Sequence, residues 1–448
     1  MATLKLIRNA TIINEGKEFT GHVLIKDEII SDIFHDSKPV NIENCEVIDA
    51  GGNVLIPGVI DDQVHFREPG LTHKGSIKTE SRAAVAGGIT SFMEMPNTNP
   101  QTITNELLEL KYQIGSKNSF ANFSFYLGGT NDNLEELLHI DQRNVCGIKL
   151  FLGASTGNML VDNPVTLENI FSKSKALIAV HCEQEPTIQK NIETYKSKYG
   201  ENIPIRYHPL IRSHEACYKS SSFAVNLARK YGTRLHILHL STEKELDLFD
   251  ATLPLHAKQI TAEVCVHHLW FSEEDYDFLG NLIKWNPAIK SKKDRDALFR
   301  GLLENKIDIV ATDHAPHTLE EKRNPYLKAP SGGPLVQHSL QVMIEFFHQK
   351  KISLERIVEK MCHTPAEMFK INRRGFIRKG YFADLVILDL TKKQLVEKDN
   401  IFYKCNWSPF ENYTFSSSVT HTFVNGELVF DNGKFNEKVR GHRLTFNR

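Results

Sequence analysis

The sequence predicts an α/β protein: a (β/α)8 (TIM) barrel with a small β-sandwich domain formed discontinuously by both termini. Three observations carry that reading. Short Val- and Ile-rich runs recur through the middle of the chain with helix-period stretches between them. Nearly every run ends in polar or histidine-bearing residues, and both ends of the chain are β-like.

The runs are residues 54–60, 89–95, 123–127, 147–152, 177–180, 235–238, 260–266 and 307–311. Each is short and bounded by polar or Gly/Pro residues, as buried parallel strands are. Residues 76–86, 104–114, 215–230, 293–304 and 335–348 carry apolar side chains at helical spacing. Eight strand–helix units make a barrel, whose chemistry collects at the C-terminal ends of its strands. A doubly wound open sheet would gather its polar residues at one switch point instead. At the flanks, residues 5–7, 11–13, 21–25 and 45–48, then 384–389, 419–424 and 427–430, read as short strands. They predict a sandwich from residues 1–54 plus 371–448 around a barrel over 55–370.

The 448 residues suffice for one large catalytic unit and a smaller accessory one. A hydrophobic share of 41% and a charged share of 24% are ordinary for a soluble protein. A net charge of -1 excludes bulk attraction to nucleic acid or an anionic membrane. No apolar run approaches the ~20 residues that span a bilayer, and the first residues lack a signal-peptide core. The seven cysteines form no CxxC pair, which fits free thiols in a reducing, cytoplasmic compartment.

Gln63 and His65 stand two apart on a strand and share a face with Asp61. His181 and His239 end two later strands, Asp313 ends the last, and Lys149 lies inside the fourth. A strand-end histidine by itself is most often a hydrogen-bonded structural residue; joint placement at one barrel mouth gives the set its weight. Three imidazoles, an aspartate and a buried lysine supply a hydrolytic zinc site, and a lysine carbamate formed from CO2 could bridge two metals. Zinc lowers the pKa of bound water towards ~7, and an adjacent aspartate can move the proton. His256, His268, His348 and His421 have no partner spacing and read as surface or core.

At these residues a family resemblance emerges. Pro57-Gly58-Val59-Ile60-Asp61-Asp62-Gln63-Val64-His65-Phe66-Arg67-Glu68-Pro69-Gly70 resembles the opening signature of the dihydroorotases. Met95-Pro96-Asn97-Thr98, Gly147-Ile148-Lys149-Leu150-Phe151, Asn286-Pro287 and Ala311-Thr312-Asp313-His314-Ala315-Pro316-His317 resemble further family blocks. Residues 375–386 match a pattern shared across cyclic amidohydrolases, so the resemblance covers nearly the whole chain.

The resemblance implies that His65 and Asp313 bind one metal, that carboxylated Lys149 bridges, and that His181 and His239 bind a second. It implies Asp313 as catalytic base and Arg67 with Asn97 as holders of a substrate carboxylate. Asn286 and His317 would contact the small-molecule substrate, and the loop ending at Gly332 would close over it. The implied reaction is the reversible conversion of dihydroorotate to N-carbamoyl-L-aspartate in pyrimidine synthesis. Arg67 separates this reading from hydantoinase- and allantoinase-like enzymes, whose substrates lack that carboxylate. Gln63 departs from the family, which has histidine there. Its amide is the poorer ligand, so the expectation is one tightly bound zinc and a weakened second site. The alternative is a catalytically silent scaffold for an aspartate carbamoyltransferase. A homo-oligomer is compatible with the resemblance.

Overall fold

The computed structural model describes residues 3–35, 42–153 and 159–448. Eight parallel strands form the barrel among these residues: Val59–Val64, Ile89–Glu94, Asn122–Phe125 continuing as Leu127–Gly128, Ile148–Phe151, Ile178–His181, Leu235–Ile237, Ile260–Cys265 and Ile309–Ala311. Each pairs in parallel with the next. A parallel bridge between Val64 and His314 brings the last strand back to the first. The chain thereby presents all eight strand ends on one face, as the alternation of runs and helices requires.

Helix ends follow local chemistry. Ser76 caps Ile77–Ala86 by accepting from Thr79 N, and the Thr79 side chain reciprocates. His214–Tyr231 stops at Gly232, whose φ of 68° suits a residue without Cβ. The stretch 335–348 becomes helical only at Ser339. Its first residues are held out of the helix because the backbone N–H groups of Leu335 and Val336 donate to His314 Nδ1 at 3.0 and 3.2 Å.

The run 54–60 is two strands. Val54–Pro57 belongs to the terminal sheet, pairing in parallel with Leu4–Asn14 and antiparallel with Leu385–Asp389. The barrel begins only at Val59. Gly58 makes the crossing, and a Cβ there would lie 2.0 Å from Thr90 Oγ1.

The expected sandwich is one continuous hydrogen-bonded sheet with Val54–Pro57 near its middle. On one side of that strand lie Leu385–Asp389, Ser418–Val424, Glu427–Asp431 and Lys434–Phe435, in that order. On the other side lie Leu4–Asn14, Lys17–Lys26 and Ile29–His35, and Glu46–Asp49 also pairs with Leu4–Asn14. An antiparallel bridge between Ile29 and Phe382 brings the N-terminal edge back towards the C-terminal half. Ile7, Ile12, Ile25, Leu385 and Phe423 share the enclosed core. Among the described residues, no helix is long and apolar enough to cross a membrane.

Candidate active site

Gln63, His65, Arg67, Asn97, Lys149, His181, His239, Asn286, Asp313 and Gly332 line a single cavity at the barrel mouth, with Phe151, Ala315 and Ser331. His317 is the one expected site residue outside that lining; it lies directly behind Arg67. His256, His268, His348 and His421 do not line the cavity.

On one side of the mouth, His65 Nδ1 donates to Asn97 Oδ1 at 2.7 Å. That bond leaves His65 Nε2 as a lone pair, 3.2 Å from Asp313 Oδ1. Two electron-rich atoms facing each other in a buried site call for a cation between them. Burial holds the His65 ring below the ordinary histidine range, although Asp313 opposes the shift. Gln63 turns its amide nitrogen to Asp313 Oδ1 at 3.3 Å and its oxygen to Cys265 Sγ at 3.6 Å. Asp61, expected on their face, is turned to the last strand, accepting from Thr312 Oγ1 at 2.6 Å.

On the other side, His181 Nδ1 and His239 Nε2 face each other at 3.0 Å. That separation approaches the roughly 3.3 Å edge of a tetrahedron with zinc–nitrogen bonds of ~2.0–2.1 Å. Burial drives His239 well below the histidine range, and His181 and Lys149 push the same way. His181 is lowered too, by burial, against the pull of Glu183 3.3 Å from its Nε2. Both rings are therefore neutral, the form in which imidazole binds metal.

Lys149 is 1% exposed and has no carboxylate within ion-pair distance among the described residues. Its Nζ lies 4.6 Å from the centre of the Phe151 ring. Burial brings its pKa down to about 7, so the neutral amine, the form that adds CO2, is well populated at neutral pH. The donor set thus fits a divalent metal, and His65, Lys149, His181, His239 and Asp313 could hold it.

Arg67 follows the strand instead of ending it, with a φ of 73°. Its guanidinium donates to Pro316 O at 3.0 Å and lies 3.0 Å from His317 Nε2. Among the described residues no carboxylate pairs with it, although it is 2% exposed and faces the cavity. Burial lowers its pKa to about 10, which still leaves it cationic. His317 is fixed from behind by Lys74 Nζ at 3.0 Å. Asn286 Oδ1 is buried without a partner among the described residues.

The loop ending at Gly332 is already docked. Lys322 Nζ donates to Pro330 O and Gly332 O at 3.0 and 2.7 Å, and Lys284 Nζ to Tyr326 O at 2.6 Å. Gly332 has a φ of 123°, and a Cβ there would sit 2.6 Å from Ala315 O. Arg67, His239 (φ 40°) and Asp313 (φ 48°) all hold left-handed backbone without being glycine. Such strain of about 1–3 kcal/mol each gathers where side-chain aim matters.

Sequence reasoning did not single out a second cluster, Asp62, His236 and Glu263, inside the barrel. Strict alternation from Gln63 puts Asp62 on the opposite face. A register irregularity between Asp61 and Val64 turns it inward instead.

The Amidohydrolase family model matches residues 54–429. A dihydroorotase of Staphylococcus epidermidis is 32% identical over 436 residues, covering 96% of this chain and 100% of that protein. A dihydroorotase of Methanosphaera stadtmanae is 30% identical over 412 residues, covering 91% and 92%. Among solved structures, an L-hydantoinase (dihydropyrimidinase) from Arthrobacter aurescens superposes with a TM-score of 0.92 at 27% identity, covering 99% of this chain and 100% of that one.

Proposed function

The chain belongs to the amidohydrolase family, and we propose that it catalyses the reversible opening of dihydroorotate to N-carbamoyl-L-aspartate, run towards ring closure in pyrimidine synthesis. The observation that carries this reading is Arg67: a buried guanidinium at the cavity wall, with no carboxylate among the described residues to pair with. A substrate carboxylate supplies the missing anion, and the planar fork suits it. The dihydroorotase relatives support the same substrate.

Zinc is the metal we assign to the mouth, bound tightly by His181, His239 and a CO2-derived carbamate on Lys149, with the His65–Asp313 position weakened by Gln63. Bound there, it would supply Lewis-acid chemistry, polarising an amide carbonyl and lowering the pKa of water. Asp313 accepts the proton released as a water adds to the ring carbonyl carbon, and delivers it to the ring nitrogen as the C–N bond breaks. Ring closure reverses each transfer. Gln63 holds the Asp313 carboxylate by its 3.3 Å bond. Asn286 Oδ1 accepts from a ring N–H, and Asn97 assists Arg67. Pro316 O, accepting from Arg67 Nε at 3.0 Å, keeps the guanidinium aimed, and His317, held by Lys74, lies beside it. The cytoplasm is the compartment we propose, since the seven cysteines are free thiols.

Steady-state assays of dihydroorotate against neutral dihydrouracil and hydantoin test the reading. Dihydroorotate should be strongly preferred, and Arg67→Met should lower its kcat/KM ~30-fold or more, about 2 kcal/mol for a lost charge-assisted pair. The likeness to an L-hydantoinase favours a second reading, a neutral cyclic amide. Preference for the neutral rings, with Arg67→Met kinetically silent, would establish that one. A metal-replete protein that turns over none of the three would point to the scaffold role.

A further inference from the structure

Below the mouth, inside the barrel, side chains from three strands meet: Asp62 from Val59–Val64, His236 from Leu235–Ile237 and Glu263 from Ile260–Cys265. All three are 0% exposed. One ligand atom from each lies within 4.8 Å of the others. His236 Nε2 is 3.2 Å from Asp62 Oδ2 and 3.8 Å from Glu263 Oε2.

We propose that Asp62, His236 and Glu263 form a second, structural metal site, binding a divalent first-row transition cation separately from the metal at the mouth.

The hydrogen bonds around the cluster carry the argument. Both Asp62 carboxylate oxygens, Glu263 Oε2 and His236 Nε2 lack a hydrogen-bond partner among the described residues. Orphaned buried carboxylate oxygens are costly, and four convergent orphans mark one missing ligand. The Thr261 hydroxyl donates to Leu235 O at 3.3 Å, which leaves its oxygen to accept from His236 Nδ1 at 2.8 Å. His236 Nε2 then carries the lone pair, in the tautomer that metal-binding histidines adopt when their other nitrogen is hydrogen-bonded.

Charge leads to the same result. Two carboxylates with a neutral imidazole carry two negative charges in a dry interior, and a divalent cation balances them. A proton on His236 is the competing occupant. Burial opposes it, but with no cation present Asp62 and Glu263 outweigh burial and bring the ring to about 9. That single Nε2–H, 3.2 Å from Asp62 Oδ2 and 3.8 Å from Glu263 Oε2, still leaves Asp62 Oδ1 bare. Two carboxylates and one imidazole suit zinc, manganese, iron or cobalt better than calcium or magnesium, which take oxygen ligands.

The site is tied to the mouth without sharing its ligands. Glu263 Oε1 accepts from the His239 backbone N–H at 3.0 Å, and Cys265 Sγ bridges Glu263 at 3.2 Å and Gln63 at 3.6 Å. His236 lies within the strand Leu235–Ile237, whereas His239 follows its end on left-handed backbone.

Anomalous diffraction from crystals of the holoprotein saturated with zinc, and then with cobalt(II), locates each ion. The expected result is a peak between Asp62, His236 and Glu263, about 2.0–2.2 Å from each, distinct from any peak at His181 and His239. No density there in saturated crystals overturns the proposal and leaves the mouth reading intact. Loss of the mouth peak alone does the reverse. Elemental analysis adds a second arm. His181→Ala should keep about one zinc through native EDTA dialysis and release it only in guanidinium, and the double variant His181→Ala/Asp62→Asn should keep none. If Asp62→Asn does not fold, the wild-type anomalous map still decides. Retention of equal zinc by the folded double variant would place the ion elsewhere.

Discussion

Gln63 donates its side-chain amide N–H to Asp313 Oδ1 at 3.3 Å, so the residue standing where a metal-binding histidine is expected instead holds the proposed base. Gln63→Leu, which removes the donor at similar volume, should lower kcat about tenfold, about 1.4 kcal/mol. Asp313→Asn should abolish turnover. Gln63→His should raise the metal bound at the mouth from about one to about two equivalents, located by anomalous diffraction. Two mouth metals in the wild-type protein would show that the glutamine does not weaken the first position.

Lys149 sets a direction for pH in reconstitution. Its lowered pKa, about 7, makes the neutral amine the majority form above that pH and the ammonium below it. Metal-free protein supplied with bicarbonate and zinc should therefore regain activity faster at pH ~8 than at pH ~6. Labelled bicarbonate should give an NMR signal that Lys149→Arg lacks. Equal rates at both pH values, or a signal in the arginine variant, would exclude a carbamate on Lys149.

Gly332→Ala should cost activity before it costs the fold. The added Cβ meets Ala315 O at 2.6 Å and forces a φ of 123° on a residue that avoids it. The loop wall would have to shift beside His317, so KM should rise severalfold while the circular dichroism spectrum stays unchanged. A KM equal to the wild type's would mean that the loop does not contact substrate.

Asp294 provides a stability test away from the mouth. Burial raises its pKa, but hydrogen bonds from His214, Ser291 and the Glu243 backbone outweigh that and bring it from 3.8 to about 2. A lowered folded-state pKa gives stability that is present above the unfolded value and lost as pH falls through the folded one. Between pH ~4 and ~2 the wild-type Tm should fall more steeply than that of Asp294→Asn. Parallel curves would mean that the His214 contact, 2.8 Å long, is not formed in solution.

The barrel and its mouth were legible because strand period and strand ends are local signals. Lys149 stands out as a charge in an apolar run, and His181, His239 and Asp313 each close or follow one. Arg67 was legible as a residue but not as a position. The strand ends at Val64, and a left-handed turn, which residue spacing does not announce, aims the guanidinium. Asp62 was hidden for a related reason: a bulge changes which way side chains point, and nothing in residue spacing announces it. His236 stands an odd number of residues before His239, which alternation would set on the opposite face. The strand ends at Ile237 and the backbone of His239 is left-handed, so alternation does not carry across. The split of 54–60 was signalled by Pro57-Gly58, but only the approach of Thr90 shows why the break falls there.

The strand Val54–Pro57 also bears on how the molecule is made. Val54 is registered with Leu388, so one edge of that strand finds its partner only after the whole barrel has been synthesised. Pairings so distant in sequence form late and slowly. Until then the N-terminal strands hold an open edge, which is where intermolecular pairing starts. A ribosome stalled within the barrel would leave that edge exposed, and a chaperone would find its most exposed target near residue 54.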